Sequence, residues 1–79
     1  MEIHYKELVP GKEYIIEHKE MSISFYKGTF LEQYQRYFEH SPTIIFLNVR
    51  DKGVTYTNRQ GFRENDKFYE IDCNSNFNY

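Results

Sequence analysis

Among the side chains that could do chemistry, the histidines come first, and their spacing does not favour it. His4, His18 and His40 stand far apart, so no single element would present two imidazoles to a metal ion. They read as surface or half-buried histidines. Cys73 is the sole cysteine, so it has no partner for an internal disulfide and supplies no thiolate cluster. Its acidic neighbour Asp72 works against a reactive thiolate. No serine sits in a Gly-x-Ser-x-Gly turn, and the four glycines form no phosphate-cradling loop. Glu64 and Asp66 would point the same way from an extended chain, but they lie in a polar stretch and read as solvated loop acids. These residues predict no catalytic site, no metal, no cofactor and no small-molecule substrate, so the chain is not expected to be an enzyme.

Binding chemistry is better represented. Charge is uneven: residues 1–20 carry five acids against three bases, whereas residues 50–67 carry five bases against three acids. That basic stretch interleaves Tyr56 and Phe62. With Lys27 added, Arg50, Lys52, Arg59 and Arg63 form a candidate surface for single-stranded nucleic acid, on which bases stack on rings and cations meet phosphates. The competing reading packs Tyr56 and Phe62 inward and leaves the cations as a solubilising face. A second candidate is the aromatic set Tyr26, Tyr34, Tyr37 and Phe38. Four large rings close together are more than a short chain readily covers, and exposed aromatic patches are enriched at protein interfaces. The partner would be another protein or a second copy of the chain.

Composition bounds both readings. At 79 residues the chain forms one domain, near the lower size limit for a core that folds without staples. Only 39% of it is hydrophobic, but eight tyrosines and seven phenylalanines let a few rings do the work of many aliphatics. A net charge of −2 and a pI near 5.9 argue against nucleic-acid binding by whole-molecule charge. No apolar run is long enough to span a bilayer, and the N-terminus lacks the pattern of a signal peptide. With a lone cysteine, this reads as an intracellular, cytoplasmic protein with no membrane partner.

The elements that must position these residues are short strands. Pro10-Gly11 has the residues of a type II turn. From it Glu13–His18 leaves as a strand, with Tyr14, Ile16 and His18 on one face and Ile15 and Glu17 on the other. Met21–Phe25 alternates, which directs Met21, Ile23 and Phe25 inward. Thr43–Val49 is the most β-branched run and the expected central strand. Arg50–Gly53 is a turn, Val54–Thr57 a fourth strand, Asn58–Gly61 a loop, Phe62 a core residue and Lys67–Ile71 a last strand or helical turn. Residues 72–79 read as a flexible tail.

Residues 25–40 admit two readings. In one, a strand bends at a bulge on Gly28, keeping Phe25 and Phe30 in the core. In the other, Phe30, Leu31, Tyr34, Tyr37 and Phe38 share one face of a short helix over residues 30–40, with Thr29 and Glu32 at capping-box spacing and Ser41-Pro42 ending it.

The order LVPGKEY, FYKGTF, IIFLNV and DKFYEI over residues 8–71 resembles small Src-homology-3-like (SH3-like) barrel proteins, and is similar in texture to short proteins of large cytoplasmic DNA viruses. The resemblance implies a small five-stranded antiparallel barrel that holds ligands over loop aromatics or serves in assembly. The chain has no tryptophan, so it departs from the barrels that read polyproline. The sequence thus predicts an all-β, five-stranded SH3-like barrel, with α+β as the alternative if residues 30–40 are helical. The expected function is a non-catalytic protein–protein interaction or assembly module, with nucleic-acid binding as the alternative.

Overall fold

The computed structural model describes residues 1–19 and 22–71. They form an all-β, antiparallel, seven-stranded sheet: β1 (Glu2–Ile3), β2 (Glu13–Lys19), β3 (Ile23–Tyr34), β4 (Thr43–Asp51), β5 (Val54–Tyr56), β6 (Gln60–Arg63) and β7 (Lys67–Glu70). A single 3-10 turn, Tyr5–Glu7, lies between β1 and β2. The sheet order is β1-β7-β2-β3-β4-β5, and β6 pairs with the first half of β4 on the edge where β5 pairs with its second half. The count is seven rather than the expected five: β2, β3, β4, β5 and β7 overlap the expected strands, and β1 and β6 are additional. β6 occupies Gly61 and Gln60, which read as loop because Asn, Arg, Gln and Gly carry no alternation. Among the described residues no pairing joins β1 to β5 or β6, so closure into a barrel is not part of the observed hydrogen bonding.

The Pro10-Gly11 turn is as read. Gly11 has φ +87°, and Lys12 N donates to Val9 O at 3.1 Å, the turn that only a residue free to take positive φ closes without strain. Tyr14, Ile16 and Phe68 then enter a core with Phe30, Ile44, Phe46, Val49 and Phe62. Phe46 is its hub. Its ring stacks on Phe68 at 5.6 Å and meets Phe30, Phe62 and Tyr14 edge-on at 5.6, 5.7 and 6.4 Å. Phe68 and Phe62 come from strands on opposite sides of β3, so their meeting on Phe46 shows that the sheet curls around this ring. The Tyr14 hydroxyl, fully buried, accepts a hydrogen bond from Val9 N at 2.9 Å, which removes the cost of burying it.

Residues 30–40 hold no helix. β3 runs on to Tyr34, and Thr29 and Glu32 are strand residues paired with Leu47 and Ile45. Of the two readings the strand is observed, but not as a bulge on Gly28 that keeps Phe25 in the core; it differs in two ways. Gly28 is not a bulge: it pairs regularly with Tyr14. One extra residue lies opposite, in β4, where the register steps from Leu47 to Arg50 against Thr29 to Lys27, and Asn48 takes φ +52°; a second step, Phe30 to Glu32 against Phe46 to Ile45, places an extra residue, Leu31, in β3 itself. Gly28 sits where space is tight. A Cβ there would stand 3.0 Å from Val49 Cγ2 and 3.3 Å from Phe46 Cδ2. The second correction is parity. With Gly28 and Phe30 facing the core, Tyr26 and Ser24 face it too, so Ile23 and Phe25 point outward, and Phe25 is 36% exposed. Met21, the tail 72–79 and Cys73 lie outside the described residues. Among the described residues no helix is long and apolar enough to cross a membrane.

Candidate functional site

The concave face of the sheet ends in a cavity of about 250 Å3. Its floor is built by alternation. From Tyr14 and Ile16 the third inward residue of β2 is His18, and from Phe30 and Gly28 the next inward residue of β3 is Tyr26. Phe62 of β6 completes a triangle of rings. His18 lies 5.8 Å from Phe62 and 6.3 Å from Tyr26, and Tyr26 lies 5.9 Å from Phe62. The opposite wall depends on the Asn48 bulge. Without the extra residue, the alternation set by Ile44 and Phe46 would aim Arg50 inward. With it, Val49 and Asp51 line the cavity and Arg50 takes the outer face. Asparagine tolerates this left-handed backbone better than most residues. A two-residue turn with positive φ at Lys52 (50°) and Gly53 (84°) then returns the chain so that Tyr56 pairs with Val49 and also lines the cavity.

His18 is held from behind. Asp66 in the β6–β7 turn is 7% exposed, which corrects its reading as a solvated loop acid. Its carboxylate accepts from Arg63 N at 3.0 Å and Lys19 N at 3.4 Å, and its Oδ1 lies 2.9 Å from His18 Nδ1. A carboxylate with both oxygens ionised can only accept, so in that state the hydrogen bond runs from His18 Nδ1–H to Asp66 Oδ1. One carboxylate thereby clamps the end of β2 to the β6–β7 turn and fixes the plane of the imidazole. Among the described residues no three His, Cys, Asp or Glu side chains are arranged to hold a metal ion.

The expected aromatic set divides. Tyr26 is half-buried in the cavity floor, near the opposite end of β3 from the other three. Tyr34 ends β3 with the Arg36 guanidinium 5.9 Å over its ring. Tyr37 and Phe38 form the tip of the β3–β4 hairpin, 99% and 63% exposed, with rings edge to face at 5.5 Å. The tip is internally braced: Glu39 N donates to Arg36 O at 2.9 Å, and Gln35 Nε2 donates to Glu39 O at 2.9 Å.

The cations also divide. Lys27 and Arg50 are direct cross-strand neighbours on the convex face, and Lys52 sits in the adjoining turn. Lys27 and Tyr69 flank Ile15 from either side, and Ile15 is buried although it faces away from the main core. Arg59 is engaged by Glu32 at 2.7 Å, and Arg63 Nη1 donates to Thr43 Oγ1 at 3.3 Å. Sequence reasoning missed Asp51, Tyr56 as a cavity residue, and the His18–Asp66 pair. Only Tyr56 had a local signal, its place beside an apolar inward residue in an alternating strand.

No protein-family model, curated protein or solved structure matches the chain.

Proposed function

We propose that the protein is a non-catalytic interaction or assembly module, a curled sheet of the small SH3-like barrel type that engages a protein partner, or a second copy, through the tip of its β3–β4 hairpin. The observation that carries this reading is the exposed Tyr37–Phe38 pair on a braced turn. Two large apolar rings presented to water are unfavourable for the isolated chain, and a preformed tip loses little conformational freedom when it docks. The flanking Arg36 and Glu39, 3.9 Å apart, supply a polar rim of the kind that surrounds buried anchors. A photo-crosslinking residue at position 37 tests it. A discrete adduct, with itself or with one cellular protein, that Phe38→Ser abolishes without lowering the melting temperature supports the reading. Absence of any discrete adduct refutes it.

The adjacent Lys27 and Arg50 favour the second reading, nucleic-acid binding on the convex face, only in part, because Arg59 is already paired with Glu32. Retention on nucleic acid that falls steeply with salt would support it.

A further inference from the structure

The cavity at the end of the concave face has a chemical character of its own, independent of the hairpin tip. The geometry points to a binding site for an organic ammonium group, held by Tyr26, Phe62 and Tyr56 and countered by the Asp51 carboxylate. Ring faces carry negative electrostatic potential and attract cations that have lost part of their hydration. Two of these rings, with His18, form a contiguous aromatic floor at 5.8–6.3 Å spacings, and Tyr56 stands on the other wall beside Val49.

The sign of the charge follows from the lining. Asp51 contributes a carboxylate, among the described residues no lysine or arginine lines the cavity, and His18 is paired with Asp66 at 2.9 Å. Among the described residues no side chain forms an ion pair with Asp51. An anion would meet the Asp51 carboxylate there with no lysine or arginine in the described lining to offset it, the donors present being the neutral Tyr26 and Tyr56 hydroxyls, the Gln60 amide and the His18 ring. A purely apolar ligand would desolvate a half-buried carboxylate for nothing in return. A hard metal ion is unsuited to the site, because one carboxylate falls far short of the six or more oxygens such ions require. A substituted ammonium satisfies both features, placing apolar carbon on the rings and charge near Asp51.

Size is consistent. The cavity of about 250 Å3 holds the space of roughly eight waters at ~30 Å3 each, enough for an ammonium head and the methylenes behind it. It is smaller than the ~300–1,000 Å3 of drug-sized pockets. The group would come either from a free amine or from a lysine side chain of a protein.

The test is a titration followed by NMR, with tetramethylammonium, n-butylammonium and sodium butyrate as probes. Saturable shifts confined to the Tyr26, Tyr56, Phe62 and His18 rings with either ammonium, and none with butyrate, are expected. Asp51→Asn, which keeps the shape and removes the charge, should weaken binding about fivefold, the upper range for a half-exposed ion pair. Tyr56→Leu, which keeps apolar bulk without the π face, should weaken it about threefold. Both variants replace residues outside the main core, and unchanged core methyl shifts would confirm their fold. Tighter binding of a lysine-bearing peptide than of n-butylammonium assigns the ligand to a protein side chain, and the reverse assigns it to a free amine. Equal shifts with butyrate, or shifts that never saturate with any ammonium, overturn the proposal.

Discussion

Asp66→Ala should be the most damaging polar substitution in the described chain. The carboxylate is almost wholly buried and serves three donors, His18 Nδ1 at 2.9 Å, Arg63 N at 3.0 Å and Lys19 N at 3.4 Å. Hydrogen bonds to a charged group contribute about 1.5–3 kcal/mol each, and removing one partner of a buried pair costs about 3–5 kcal/mol. Lys19 N is a long contact and His18 retains some access to water, so the low end applies, about 3 kcal/mol. A domain of this length is stabilised by only about 4–12 kcal/mol in total. The expected loss therefore lowers the melting temperature by roughly 12–24 °C, at about 4–8 °C per kcal/mol. Urea unfolding should show a reduced midpoint with an unchanged slope, because the exposed surface of the unfolded chain hardly changes. Asp66→Asn keeps one acceptor oxygen for Arg63 N and should fall between wild type and alanine. A His18→Ala/Asp66→Ala cycle should give a coupling of about 1 kcal/mol or more. A loss below about 1 kcal/mol in Asp66→Ala would show that the clamp is not structural, and the argument that it orients His18 would fall with it.

Three further experiments probe other parts of the molecule. Gly28→Ala forces a Cβ to 3.0 Å from Val49 Cγ2 and should cost about 1–3 kcal/mol by overpacking, less the ~0.4–1 kcal/mol gained from a stiffer unfolded chain. Combining it with Val49→Ala in urea melts should give less than the sum of the two costs. Tyr69 has its phenol pKa raised above 10.0 by burial, then by the Glu17 charge and hydrogen bond, then by Glu2. The folded state therefore keeps a proton that the unfolded state releases. That stability is fully present below pH 10 and is lost as pH climbs through the folded value, so Tyr69→Phe should flatten the alkaline limb of a stability profile. Tyr37→Ser with Phe38→Ser should change stability by no more than about 0.5 kcal/mol in the same melts, because both rings are exposed.

How much of this was legible in the sequence depends on parity. β2 could be read because Tyr14, Ile16 and His18 share one face of a strand that a Pro-Gly turn starts, and the structure keeps that face inward. In β3 the stretch Phe25-Tyr26-Lys27-Gly28-Thr29-Phe30 offers large apolar residues at both parities. Composition alone cannot choose between them. The choice is made across the core: the position facing Val49 and Phe46 leaves little room for a side chain, which suits Gly28 pointing inward with Tyr26 and Phe30. Phe25, read as core, is displaced by the need for one small residue beneath Phe46. The same hub explains why the helix alternative fails. An alternating Phe30 packs on Phe46 at 5.6 Å, whereas Tyr37 and Phe38, which helical spacing would have buried beside it, are left in water. The cavity was less legible still. Leu47-Asn48-Val49-Arg50-Asp51 reads as a continuing strand, and only the left-handed Asn48 reverses which of Arg50 and Asp51 faces inward. Asp66 depends on contacts 47 and 48 residues away in the chain, which no local pattern records. The charge of the concave face is therefore a property of one bulge and one turn. That is why a count of acids and bases along the chain pointed to the convex cations and passed over the site where a single carboxylate faces a floor of rings.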